Sequence, residues 1–285
     1  MSVLALALVL TAAVCHATWN FLVKKANAGP ELIWLASVCV VVLYLPVVAV
    51  VWVLDPPHLD TPAILFTLGS ALLHLAYFLL LQQGYRRGDL SLVYPTARAT
   101  GPFLSAIFAV LILGEALTPQ VAAGALAVIG GVFFLNGGIR KRARHVTVSL
   151  AFGLATGVLI GSYTVWDAYT VTALAVPPVI LDYATALARA TLLAPVAWRR
   201  RPQVYALWHN QRWTVLGIAA FIPLAYILVL YAFTFTPVIY VAPAREVSVL
   251  LTVLAGTLLL GEPAPGRRLV WAAVIVAGIA LLVTA

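Results

Sequence analysis

The chain has 285 residues, 64% of them hydrophobic and only 9% charged, with a net charge of +8. A soluble domain carries roughly 25% charged residues, so most of this surface cannot face water. The basic excess falls in short stretches between apolar runs, which excludes a nucleic-acid partner and assigns those residues to setting membrane orientation.

The apolar runs approach or exceed the roughly 20 residues that cross a bilayer. In chain order the predicted spans are 3–23, 31–54, 62–84, 90–113, 119–138, 148–172, 178–198, 213–234, 237–260 and 268–284. Breakers separate them, among them Asn27-Ala28-Gly29-Pro30, Asp55-Pro56-Pro57 and Pro177-Pro178. Pro202–Gln211, with Trp208 and His209, reads as an interfacial loop or short surface helix. No cleavable signal peptide is expected, since apolar sequence follows Met1 at once. Cys15 and Cys39 fall inside spans and are expected to be free thiols.

Fourteen of the seventeen Lys and Arg residues fall in the odd-numbered loops: Lys24, Lys25; Arg86, Arg87; Arg140, Lys141, Arg142, Arg144; Arg199, Arg200, Arg201, Arg212; Arg267, Arg268. The even loops hold none. The positive-inside rule then puts the odd loops in the cytoplasm and both termini outside, in a multi-pass protein of the cytoplasmic (inner) membrane.

The chain repeats itself at a spacing of 147 residues. Trp19 and Asn20 match Trp166 and Asp167, and Ala97-Arg98 matches Ala244-Arg245. Leu113-Gly114-Glu115 matches Leu260-Gly261-Glu262, and Gly131 matches Gly278. The frame slips by one nearby, where Tyr85 meets Tyr231 and Pro95 meets Pro243. The expected domains are a five-helix repeat over 1–138, a basic linker over 139–147 and a second repeat over 148–285. Five spans is an odd number, so the second repeat enters the membrane upside down. The fold expected is all-α, with ten transmembrane helices as two inverted repeats. Such repeats typify secondary transporters with a site between the halves.

Gly84-Tyr85-Arg86-Arg87-Gly88-Asp89-Leu90-Ser91-Leu92-Val93-Tyr94-Pro95-Thr96-Ala97-Arg98, followed by Gly101-Pro102 and Leu113-Gly114-Glu115, resembles the EamA family of the drug/metabolite transporter superfamily. The second half repeats the pattern more weakly and has Val249 where Pro102 would fall. Cys15-His16-Ala17-Thr18-Trp19-Asn20 … Lys24-Lys25 looks like the first span of such proteins. The resemblance implies a ten-helix transporter, often an exporter of amino acids, related metabolites or toxic compounds. Many family members keep their termini in the cytoplasm, and the charge count here departs from that.

An arginine at a helix centre costs about 2.5–3.5 kcal/mol on insertion scales, so Arg98 and its mate Arg245 need a reason to be there. Arg98 lies about 14 Å into its helix at 1.5 Å per residue. Both suit bidentate capture of a carboxylate or phosphate, or a structural pairing such as Arg245 with Glu246. His16, Trp19 and Asn20 form one patch on the first span, matched by Tyr163, Trp166 and Asp167 on the sixth. Their rings either line a cavity or belong to the interfacial belt. His74 and Tyr77 share a face of the third span, with Tyr94 on the fourth. The candidate substrate-binding set is therefore His16, Trp19, Asn20, His74, Tyr77, Tyr94, Arg98, Tyr163, Trp166, Asp167 and Arg245. Asp182 and Arg189 read as structural, and Glu115 and Glu262 as helix-end residues. His16, His74, Asp167 and Glu246 are candidates for a proton-coupling group.

No cofactor, metal or catalytic residue is expected. HExxH, GxSxG and nucleotide-binding GxxxxGK[ST] motifs are absent, which weighs against an intramembrane enzyme or an ATP-driven pump. The expected partners are a small-molecule substrate, the lipid bilayer and protons as coupling ion, and the protein is expected to act as a monomer. Cationic drugs and phosphorylated metabolites are the alternative substrates, and a structural or receptor role is the non-enzymatic alternative.

Overall fold

A computed structural model describes residues 1–26, 28–54, 56–135, 146–251 and 266–285. Among these residues the fold is all-helical, without a strand. The helices are α1 (Val3–Ala26), α2 (Pro30–Leu54), α3 (Thr61–Arg87), α4 (Leu90–Leu113), α5 (Pro119–Leu135), α6 (Val146–Thr172), α7 (Pro178–Arg199), α8 (Arg201–Phe233), α9 (Val238–Ala244) and α10 (Gly266–Thr284). Seven of them, α1 to α4 and α6 to α8, are long and apolar enough to cross a membrane; α5 and α10 are shorter and apolar. The basic linker residues Arg140, Lys141, Arg142 and Arg144, the end of the ninth predicted span and the Leu260-Gly261-Glu262 motif lie outside the described residues, as do Asn27 and Asp55.

Breakers act where the sequence puts them. The Asp60 carboxylate accepts from the Ala63 amide at 2.9 Å, with Pro62 in the first turn of α3. Gly114 closes α4 at φ 70°, a left-handed conformation that a Cβ would strain. The segment after Pro202 is helical and continuous with the eighth span, with a kink at Gln211 (φ −136°). It is thus a surface helix joined to a span, not a loop.

The distribution of polarity is that of a protein dissolved in lipid. Val53, Leu111 and Ile112 are 77%, 76% and 69% exposed, whereas Asp167, Glu246, Thr156 and Thr164 are fully buried. Lipid tails are as apolar as leucine, so close backbone approach and buried polar contacts must hold such helices together. The α4–α6 interface illustrates this. Gly153, Gly157 and Gly161 recur every fourth residue on α6 and receive Thr96, Thr100 and Leu104 of α4. A Cβ on any of the three would meet those side chains at 2.7, 2.5 and 2.9 Å.

Contacts between the two sequence repeats are reciprocal. Gly131 on α5 faces Ile275 of α10, and Gly278 on α10 faces Val128 of α5. Each residue of one contact lies 147 positions from its counterpart in the other, the self-complementary pattern of a two-fold relation. α1 packs on α8 as α3 packs on α6. Polar ties join α2 to the other half: Trp34 Nε1 donates to Ala190 O at 2.9 Å, Tyr44 Oη to Ala220 O at 2.7 Å, and Arg200 pairs with Glu31 at 3.1 Å. Cys15 and Cys39 are buried free thiols.

Candidate functional site

The α4 helix continues unbroken through Pro95 and Pro102 and carries Arg98 in its first half. The corresponding α9 stops at Ala244, turns through Arg245 and Glu246, and becomes helical again over 247–251. Tight bonds span the break, from Glu246 N to Pro243 O, Ser248 N to Arg245 O and Val249 N to Glu246 O. The chain thus breaks just after Pro243, at Arg245-Glu246, while α4 is continuous through both of its prolines.

This break delivers a buried charge cluster. Arg98 Nη2 lies 3.2 Å from Glu246 Oε2, and Arg245 Nε lies 3.9 Å from Glu246 Oε1. The side chains are 12%, 7% and 1% exposed for Arg98, Arg245 and Glu246. Arg98 Nη2 also donates to Ser248 Oγ at 3.3 Å. Two cations against one anion leave the cluster with a positive charge in excess. Among the described residues, Arg98 Nε, Arg245 Nε and both Glu246 oxygens are buried without a hydrogen bond. Buried donors on a guanidinium are costly unless a partner satisfies them, so these two arginines are under-compensated. Glu246 partly compensates both arginines and saturates neither.

A second cluster stands nearby on α3, α6 and α8. His74 Nε2 lies 2.9 Å from Asp167 Oδ2, and the Tyr226 hydroxyl donates to the same oxygen. Asp167 Oδ1 is buried without a hydrogen bond. Tyr163 stacks on His74 with ring centroids 4.2 Å apart, and Tyr77 meets Tyr163 edge-on at 5.6 Å. Tyr163 is within electrostatic reach of Asp167, Arg98, Arg245 and Glu246, and so bridges the two clusters. His16 on α1 lies within reach of Arg98 and Arg245, and Tyr94 within reach of Arg98.

Eight of the candidate residues therefore converge: His16, His74, Tyr77, Tyr94, Arg98, Tyr163, Asp167 and Arg245. The other three do not share this setting equally. Trp166 is committed to α3, donating to Phe66 O at 2.7 Å and stacking on the Phe66 ring at 4.2 Å. Gly69 makes that possible, because a Cβ there would meet the Trp166 ring at 2.5 Å. Asn20 donates to His16 O of its own helix at 2.8 Å, and Trp19 packs edge-on against His16 at 4.8 Å. Asp182 is 3% exposed and within electrostatic reach of Arg189.

Tyr226 was missed in the sequence because it has no polar mate in the other repeat. Its signal was physical: a hydroxyl in the middle of an apolar span must find a partner. Ser248 was hidden by its neighbours, since only the turn at Arg245-Glu246 brings it to Arg98. Glu115 is a helix-end residue in the strict sense. Its two oxygens accept from the Val238 and Ile239 amides at 2.7 and 2.8 Å, capping α9 from the other repeat. Among the described residues no group of three or more His, Cys, Asp or Glu gathers to hold a metal.

The model of the EamA-like transporter family matches this chain twice, over residues 3–137 and 147–284. The chain belongs to the EamA-like transporter family. It is thus a multi-pass membrane protein of the drug/metabolite transporter type. A crystal structure of a protein 19% identical to it shares its fold with a TM-score of 0.74, covering 98% of each chain. No curated protein matches it in sequence.

Proposed function

We propose that the protein is a secondary transporter that exports amino acids or related small organic anions across a cytoplasmic membrane. The observation that carries this reading is the under-compensated Arg98–Glu246–Arg245 cluster together with the half-satisfied carboxylate of Asp167, both within electrostatic reach of Tyr163. The two poles match a zwitterion. The substrate carboxylate binds the arginines, drawing on Arg98 Nε and Arg245 Nε, while its ammonium binds Asp167 Oδ1. The Tyr77 and Tyr163 rings carry the apolar part.

In this reading the halves, five spans each over 1–138 and 148–285 and joined by the linker 139–147, insert with opposite orientation. They rock about the site to open it to either side in turn. The odd loops are cytoplasmic and both termini outside, as the Lys and Arg distribution requires. The protein acts as a monomer, and His74 with Asp167, in contact at 2.9 Å, is the pair suited to carry a coupling proton. A cation-selective drug pump fits less well, because the excess charge of the cluster is positive.

The test is counterflow of a labelled amino-acid panel in proteoliposomes, comparing wild type with Arg98→Ala, Arg245→Ala and Asp167→Asn. We expect one or more amino acids to be transported. Both arginine substitutions should raise KM by about ten- to a hundred-fold, the value of a lost charged hydrogen bond. Asp167→Asn should weaken amino acids while leaving the corresponding des-amino carboxylates less affected. No transport of any panel member, or transport indifferent to both arginine substitutions, would retire this assignment.

A further inference from the structure

A second apolar cavity lies away from the central site, on the flank between α2 and α8. Its volume is about 540 Å³, and it is lined on α2 by Trp34, Val38, Val42 and their neighbours and on α8 by Val204, Trp208 and Leu216, with Arg201 at its mouth. From Trp34 to Leu43 the lining climbs nine residues of α2, about 13 Å at 1.5 Å per residue. One leaflet of hydrocarbon is about 15 Å deep, half of a core of roughly 30 Å. The groove is thus as long as one leaflet, open at the side and apolar throughout its depth.

Its mouth is at headgroup level. Trp198, Tyr205 and Trp213 are 74%, 72% and 74% exposed around it, the placement of an interfacial aromatic belt. The kink at Gln211 separates the surface segment of α8 from the span proper. Four arginines gather at this end, Arg199, Arg200, Arg201 and Arg212. Their duties differ. Arg200 is paired with Glu31, which pins α2 to the α7–α8 junction. Arg212 lies over the Trp213 ring at 5.5 Å. Arg201 leans on the Trp198 ring at 5.9 Å and lines the groove without a salt bridge among the described residues. The first turn of α8 adds amides with no side-chain cap, at the positive end of the helix dipole.

We propose that this groove binds one anionic phospholipid, with its phosphate at Arg201 and the α8 N-terminus and one acyl chain along Trp34, Val38 and Val42. Basic pockets between spans recognise anionic headgroups by the same chemistry. The site is independent of the transport site, sharing no residue with it.

The protein, solubilised in detergent, is mixed with equimolar phosphatidylglycerol and phosphatidylcholine, and retained lipids are counted by native mass spectrometry. Wild type should retain phosphatidylglycerol over phosphatidylcholine by about five-fold, the effect of one interfacial arginine. Arg201→Ala should bring the ratio close to that of an uncharged surface, whereas Arg86→Ala, on another loop, should leave it unchanged. Val42→Trp, which fills the groove from an exposed position, should remove one bound lipid of either kind. Equal retention of the two lipids by wild type, or a ratio that survives Arg201→Ala in a monodisperse protein, would overturn the proposal. So would a lipid count unaltered by Val42→Trp.

Discussion

The helices α4 and α9 occupy matching places in the two repeats and solve the same problem differently. Each must bring an arginine into the apolar interior beside proline. In α4 the arginine follows its proline by three residues, Pro95 to Arg98; in α9 it follows by two, Pro243 to Arg245. In the 147-residue frame the arginines are in register and the proline is displaced by one, a rotation of about 100° on an α-helix, so the proline falls on a different face of α9 than of α4. α4 runs straight. α9 breaks at Arg245-Glu246 and resumes at 247, and the break swings Glu246 between both arginines. The repeat therefore does not reproduce a site twice; its one-residue mismatch makes a single asymmetric one. Glu115, reaching over from the end of α4, caps the short α9 and holds its start in place.

The largest effect expected from this asymmetry is that of Glu246→Ala. It strips the counter-ion from two buried guanidinium groups and should cost about 3–5 kcal/mol. Arg98→Ala should cost clearly less, because Glu246 keeps Arg245. Thermal unfolding in detergent measures both, and a reversed order would mean that α9 does not depend on its central carboxylate.

The prolines come next. Pro102→Ala should stabilise the protein by up to about 3 kcal/mol, since α4 is continuous there and regains a backbone bond. Pro243→Ala should do much less, because the chain turns at that point in any case. Equal gains from the two would show that proline, rather than the charge cluster, breaks α9.

The smallest effect is that of Glu115→Gln. It keeps an acceptor for the Val238 or Ile239 amide and removes the charge that complements the α9 N-terminus, at a cost of about 0.3–1 kcal/mol. Hydrogen exchange should quicken in α9 and leave α4 unchanged. Faster exchange in both would mean that the cap supports the whole interface between repeats and not α9 alone.

Much of this was legible in the chain. Lipid imposes long apolar runs, and a breaker such as Pro177-Pro178 separates helices by local geometry alone, whereas the Asp60 cap of α3 was seen only in the structure. The embedded Arg98, Arg245, His74 and Asp167 stand out because a charged or polar group inside an apolar span must be compensated. Trp166 was harder. Three residues after Tyr163 and next to Asp167, it read as either a cavity or an interfacial-belt residue, whereas Gly69 on α3 opens a seat for its ring, and no spacing within α6 reveals that. Tyr226 and Ser248 likewise acquire meaning only from partners roughly 60 and 150 residues away.

The division follows the range of the forces. Which segments are helical and membrane-spanning depends on the solvation of each stretch by itself, and the composition and the breakers are enough to decide it. Which side chain neutralises which, and where a repeat departs from its mate, depends on helices far apart in sequence meeting in a medium with little water to satisfy them. Arg98 and Arg245 could be named from the chain. That Glu246 stands between them, contacting both, was decided only by the turn that interrupts α9.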